Sequence, residues 1–430
     1  DDILRVHNRS FLRADGFGIA DDYLGLAPGT SVSLEWSIYP TPGGDYWDFV
    51  NAVRRNWGSN FTIPGPFCFN SGMPRDADAE TLARWVRDRS IKIICGGIAQ
   101  YPDGTYAHGT GIVYAPQWVE RERRWVQNLL QAAPEVMPLC YFHCFISSEP
   151  DSETKYADAR MLNARGEHIG YPYRYRLPLY VPTRDNSYGR ALWSYVDTLL
   201  QTIGAAGIYW DEMSHSVLWY AYDLPWDGCS VAVDRTTHQV VRKLSSVPLI
   251  SQPLRLDIVR HVRGQGKFLM ANTQPATRTM HNERIVRFVE TGSYSAADET
   301  HLECPLALGN HHLDDTPAQV AKMIRNILAH GATWYGHHYL YQPPTWDFHS
   351  VMFPITPVEI REGVVIGQER IHTARSGVFG FADGARADVY VVDGDGMRVA
   401  DADVTETQEG GAWRYEIRMP GDHFAVLVRR

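Results

Sequence analysis

A (β/α)8 barrel with a β-rich segment before it and an antiparallel β-sandwich after it is the fold class that the sequence predicts. Three observations predict it. From residue 64, eight short apolar runs alternate with helical patterns over about 270 residues. Beyond residue 350 the helical patterns stop, and strand-like runs are broken by Asp-Gly and Pro-Gly turns. Before residue 62 the chain alternates with the period of a strand. The expected layout is a β-rich segment with a linker helix at 1–61, a catalytic barrel at 62–348 and a sandwich at 349–430.

Each element has its own warrant. Ser31 to Tyr39 places Val32, Leu34, Trp36 and Ile38 on one side and Ser31, Ser33, Glu35 and Ser37 on the other, the pattern of a half-buried strand. So few strands cannot make a sandwich alone. The segment is therefore expected to complete a sheet elsewhere or to be the tail of a larger β-sandwich domain. Asp45 is a helix cap, with Val50, Val53 and Trp57 at helical spacing and Gly58 as the stop. The eight strand candidates are 66–70, 91–97, 137–145, 207–212, 267–273, 287–292, 303–308 and 332–339. The clearest intervening helix runs from Thr316 to His330. Pro317 stands at its first position, Gln319 completes a capping box, and Val320, Met323, Ile324, Ile327 and Leu328 form a stripe. The sixth and seventh strands are separated by loop rather than by a clear helix.

Composition excludes several classes. The chain has 430 residues, 44% hydrophobic and 21% charged, with a formal charge of -9. That length predicts two or three domains. The charge carries no basic stripe of the kind that binds nucleic acid. No apolar run reaches the roughly 20 residues of a membrane helix. The six cysteines form no CxxC pair and are expected to be small buried hydrophobes. The chain begins at Asp1, as a processed or trimmed chain would. No cofactor and no metal are expected, since neither a nucleotide fingerprint nor a ligand spacing is present. A homo-oligomer is left open.

Barrel enzymes place their chemistry at the carboxyl ends of the strands. Those ends carry Asn70, Tyr141 and His143, Asp211 and Glu212, Asn272, Glu290, and His337 and His338. Carboxylates, amides and imidazoles on one rim can bind hydroxyls and move protons. Asp211 and Glu290 are the candidate pair across a glycosidic bond, one to protonate the leaving oxygen and one to attack or activate water. The competing reading of Asp211 is a rim carboxylate bonded to a loop, and that of Glu290 is a partner of Arg287 or a lysine. Successive strand residues face opposite ways, so Glu212 is expected to turn towards the helices or a loop and to support. Asn70, His143, Glu212, Asn272 and His338 are candidate substrate contacts. The loop from Ser214 to Pro253 is expected to shape substrate choice, with Trp226 as a sugar-stacking face; core packing is the open alternative for Trp219 and Trp226.

The stretch YVPTRDNSYGRALWSYVDTLLQTIGAAGIYWDEMS, residues 180–214, resembles the approach to strand four in barrel glycoside hydrolases. With the three-part layout, it is similar to the α-galactosidase and α-glucosidase clan. That resemblance implies retaining hydrolysis of an α-linked glycosidic bond in an oligosaccharide or glycoside, with Asp211 as nucleophile and a strand-six carboxylate, Glu290, as acid/base. The clan's usual acid/base is an Asp, whereas this strand offers Glu290, with Asp298 further on. Two rivals remain. One is a carbohydrate-binding barrel without catalysis. The other is a lyase or isomerase acting on a sugar.

Overall fold

The structure, a computed structural model, describes the chain except residues 71–72, 75–76, 98, 101–105, 173–175, 292, 310–314, 338–340, 342 and 344–345. It is mixed α/β, with eight parallel strands and antiparallel sheets elsewhere. Two compact units divide it. The first comprises residues 1–38, 98–124 and 140–285; the second comprises 39–97, 125–139 and 286–430.

The parallel strands are β1 (Phe67–Phe69), β2 (Ile93–Cys95), β3 (Met137–His143), β4 (Gly207–Asp211), β5 (Phe268–Asn272), β6 (Val286–Thr291), β7 (Leu306–Gly309) and β8, the pair Thr333–Trp334 and Gly336–His337. Each falls on an expected apolar run. Their residues are buried on both faces, which explains the near-continuous apolar sequences. In the first unit the second half of β3, Cys140–His143, lies beside β4, and β4 pairs with β5 from Gly207↔Phe268 to Trp210↔Ala271. Gly207 has no Cβ because one would collide with the Phe268 carbonyl. In the second unit the order β6-β7-β8 continues through β8 to β1, β2 and the start of β3. Tyr335 joins the halves of β8: its N–H donates to Ala307, and its carbonyl accepts from Phe67.

Helices fill the connections where the stripes predicted them. Asp45 accepts from the Trp47 N–H, the helix Tyr46–Trp57 follows, and Gly58 closes it with φ 71°. Thr316 and Gln319 form the capping box of Pro317–Ala329, whose side towards the core carries Val320, Met323, Ile324, Ile327 and Leu328. Between β6 and β7 the described residues form only the 3-10 turn Tyr294–Thr300, in line with the weak helical signal there. Beyond the single turn His349–Met352 the chain is antiparallel, in a five-stranded and a three-stranded sheet. Their shared core holds Ile371, Val391, Tyr415, Ile417 and Leu427.

Two expectations are corrected. The strand expected over Ser31 to Tyr39 does not form: residues 31–40 carry no regular structure, and Trp36 and Ile38 are 70% and 76% exposed. Alternation produces a strand only where a neighbour takes up the backbone hydrogen bonds and a layer covers the apolar side. Among the described residues neither is present, and the β-rich start reduces to the hairpin Asn8–Arg13 and Gly16–Asp21. The long loop after β4 ends at residue 246 rather than at Pro253. Ser246 caps a helix, Val247–Gly264, that runs through Pro253.

Candidate active site

The site is built where β3, β4 and β5 end in the first unit. Asp211 is the last residue of β4. Its Oδ2 accepts from the Tyr141 hydroxyl of β3 at 2.7 Å, and its Oδ1 accepts from the Asn272 amide of β5 at 2.9 Å. The Glu212 backbone N–H donates to the same Oδ1 at 3.0 Å. Asn272 is oriented by its own neighbour, since its Oδ1 accepts the Thr273 N–H at 2.8 Å and so turns its Nδ2 towards Asp211. β4 and β5 thus end alike. In each, the terminal Asp or Asn accepts the next N–H, and the next residue adopts a left-handed φ, 46° at Glu212 and 71° at Thr273. That conformation costs a residue other than Gly about 1–2 kcal/mol, so it persists where the surroundings impose it.

The left-handed φ has a direct consequence for Glu212. Plain alternation would send its side chain away from that of Asp211. Instead both carboxylates meet side chains two residues apart on one face of β3: Tyr141 takes Asp211 and His143 takes Glu212, at 3.2 Å. The His143 Nδ1 accepts the Phe145 N–H, so its Nε2 carries the proton that goes to Glu212. Tyr171 donates to the other Glu212 oxygen at 2.6 Å, and the Ser216 hydroxyl donates to the oxygen that His143 also reaches. Behind this group Arg255 is fully buried and clamps three oxygens: the Met213 carbonyl, the Pro248 carbonyl and the Ser251 hydroxyl. Its hold on Met213 fixes the backbone one residue beyond Glu212.

The electrostatics separate the two neighbours. Burial pushes the Asp211 carboxyl above the ordinary range, and the nearby His143 and the hydrogen bonds from Tyr141 and Asn272 offset this only in part; the Glu212 charge adds to the rise. Burial also acts upwards on Glu212, but the hydrogen bonds from His143, Ser216 and Tyr171 outweigh it and bring the carboxyl down to about 2. Burial raises the Tyr141 hydroxyl strongly, so it stays a donor. His108, edge-on to Tyr141 at 5.6 Å, is lowered to about 3 by burial and stays neutral. A charged carboxylate, a carboxylate of raised pKa and a set of fixed donors are what acid, base or nucleophilic chemistry requires.

The other expected residues have these positions. Asn70 is buried directly after β1, and Glu290 is exposed near the end of β6; both belong to the second unit. His338 lies outside the described residues. Trp226 donates its indole N–H to the Ser230 carbonyl at 2.7 Å, carries the Lys243 ammonium over its ring at 4.4 Å, and borders a cavity of about 680 Å³ with Leu26, Asp227 and Arg278. Asp298 accepts from His330 at 2.9 Å. Sequence reasoning missed Tyr171 and Ser216. Ser216 lies four residues after Glu212, a spacing that a tight turn can close, whereas nothing local in the sequence marks Tyr171. Among the described residues no group of three His, Cys, Asp or Glu side chains is placed to hold a metal ion, and no helix is long and apolar enough to cross a membrane.

No protein-family model matches the chain, and neither does any curated protein sequence. Among solved structures it is similar to several glycoside hydrolases. One is a GH31 alpha-xylosidase from Xanthomonas citri, at 12% identity over 88% of this chain and 48% of that one, with a TM-score of 0.47. Another is a GH31 dextranase from Flavobacterium johnsoniae complexed with isomaltotriose, at 10% identity over 90% of this chain and 54% of that one, with a TM-score of 0.45. A third is an Anoxybacillus alpha-amylase, at 8% identity over 85% and 98%, with a TM-score of 0.42. The chain spans about half the length of the two GH31 structures. At this level the likeness carries no argument about chemistry, which rests on the residues described above.

Proposed function

We propose that the chain is a glycosidase that cleaves an α-linked glycosidic bond with retention, acting at the carboxyl ends of a (β/α)8 barrel. The observation that carries the reading is the fixing of Asp211. It ends a central parallel strand, and the strands on both sides each send one donor to its carboxylate. Among the described residues, Oδ1 accepts two N–H groups, whereas Oδ2 accepts only the Tyr141 hydroxyl and keeps a lone pair. Oδ2 is therefore the attacking atom. It forms a bond to the anomeric carbon as the bond to the leaving oxygen breaks, and a carboxylic acid gives that oxygen its proton. Glu290 is proposed for this role from its place near the end of β6 alone. Glu290 then takes a proton from water, the water oxygen attacks the anomeric carbon, and Asp211 leaves as a carboxylate. Glu212, held ionised, supplies fixed negative charge beside a transition state in which positive charge develops on the sugar.

The test is a panel of α-linked glucosyl, xylosyl and galactosyl trisaccharides, with the anomer of the first product followed by NMR. Retention and an inactive Asp211→Asn variant are expected. Inversion would rule out a glycosyl-enzyme on Asp211. Binding of a panel member without turnover would favour the non-catalytic alternative. Near-normal activity of Asp211→Asn beside an inactive Glu212→Gln would transfer the nucleophile to the neighbouring residue.

A further inference from the structure

The loop that leaves β4 contains a second strained residue. Val217 has φ 54°, a conformation rare for a β-branched side chain, and the Leu218 N–H donates to the Ser216 carbonyl at 2.5 Å. This is a three-residue γ-type turn, a strained class. Its first residue is the Ser216 that donates to Glu212. The loop is tied down on both sides of the turn. The Ser214 hydroxyl donates to the Gln274 carbonyl at 2.8 Å, and the Trp219 carbonyl accepts the Val247 N–H at 2.9 Å. Such strain, held by the structure around it, is a mark of functional sites.

The turn controls which aromatic residue faces outwards. Tyr220 starts a two-residue strand paired with Ser246 and stacks inwards on Tyr23 at 4.6 Å. Trp219, one residue earlier, points the other way and is 43% exposed. Its inner face is taken by His215, whose ring stacks on it at 4.1 Å and 28°. Among the described residues His215 has no hydrogen-bond partner, and its Nδ1 is buried. Its ring is therefore held by stacking, and it backs the indole. Trp226 differs: its N–H is committed to Ser230, and the Lys243 ammonium covers a face.

We infer that Trp219, backed by His215 and presented by the strained turn at Ser216–Leu218, is a stacking platform for a pyranose ring other than the one that reacts. An exposed indole face offers a flat apolar surface to the C–H face of a sugar. The hydrogen bond from Ser216 to Glu212 connects the platform to the carboxylate pair within one loop. The inference rests on the glycosidase reading of the same site.

The experiment separates the two. The α-linked trisaccharides are compared with the corresponding α-glycosyl fluorides, which carry no second ring, in wild type and in Trp219→Ala, Trp219→Phe and Asp211→Asn. Trp219→Ala should lower kcat/KM on the trisaccharide about tenfold, which corresponds to about 1.4 kcal/mol, and leave the fluoride unchanged. Trp219→Phe should recover most of the loss, and the melting temperature of both should match wild type. An unchanged trisaccharide rate in Trp219→Ala overturns the platform while the glycosidase stands. An equal loss on both substrates places Trp219 at the reacting ring or in the fold, and also overturns it. No turnover of any panel member by wild type overturns the glycosidase reading and the platform with it.

Discussion

Asp211 and Glu212 are chemical neighbours with opposite environments, and their protonation behaviour should be separable. Asp211→Asn removes the oxygen proposed to attack but keeps the donors around it, so kcat/KM should fall by at least about 1000-fold with the fold intact. Circular dichroism and the melting temperature check the second half of that statement. Glu212→Gln tests the coupling. The Glu212 charge raises the Asp211 carboxyl, so removing it should let Asp211 ionise at lower pH. The acid limb of the kcat/KM profile should then move to lower pH; a limb that stays in place would dissociate the two groups. Stability supplies the other sign. The folded Glu212 carboxyl, at about 2, lies below its ordinary value of 4.5. Its contribution is complete above 4.5 and disappears as pH falls towards 2. Wild type should therefore lose stability across that window more steeply than Glu212→Gln, as urea unfolding at stepped pH would measure.

At the level of elements, what can be read from sequence follows local chemistry. The helix Pro317–Ala329 was legible down to its cap because Thr316, Pro317, Gln319 and Gly331 act within one or two turns of the backbone. Thr316→Ala should cost about 1 kcal/mol, seen as a lower melting temperature without loss of activity. The helix Val247–Gly264 was hidden by Pro248 and Pro253. Pro248 sits in its first turn, where no N–H is needed, and Pro253 lies inside, where it removes the donor that would pair with the Leu249 carbonyl. Arg255→Lys keeps the charge but cannot reach three oxygens with a fork. It should destabilise by about 2–4 kcal/mol and lower activity through the displaced Met213–Ser216 segment. A variant as stable as wild type would show that the clamp is redundant. The stretch Ser31 to Tyr39 is the opposite case. Its alternation is clear, but a strand needs partners that a local pattern cannot supply.

For the whole molecule, all eight parallel strands were visible in the sequence because residues buried on both faces leave unbroken apolar runs. The site was visible only at its strand ends. Asp211, Asn272, Tyr141 and His143 stand where such strands stop, whereas Tyr171 arrives from a distant hairpin and the turn of Glu212 depends on φ, which no periodicity reveals. The cysteines have a consequence on this scale. All six are buried thiols outside any disulfide, three in the first unit (Cys140, Cys144, Cys229) and three in the second (Cys68, Cys95, Cys304). A thiol reagent added to the native protein should therefore find almost nothing to modify, while six equivalents react in denaturant. Rapid modification of the native protein would contradict their burial. Under graded urea, mass spectrometry of alkylated peptides would time the opening of each unit through its own three thiols, so the chain carries a set of internal reporters of local unfolding with no added label.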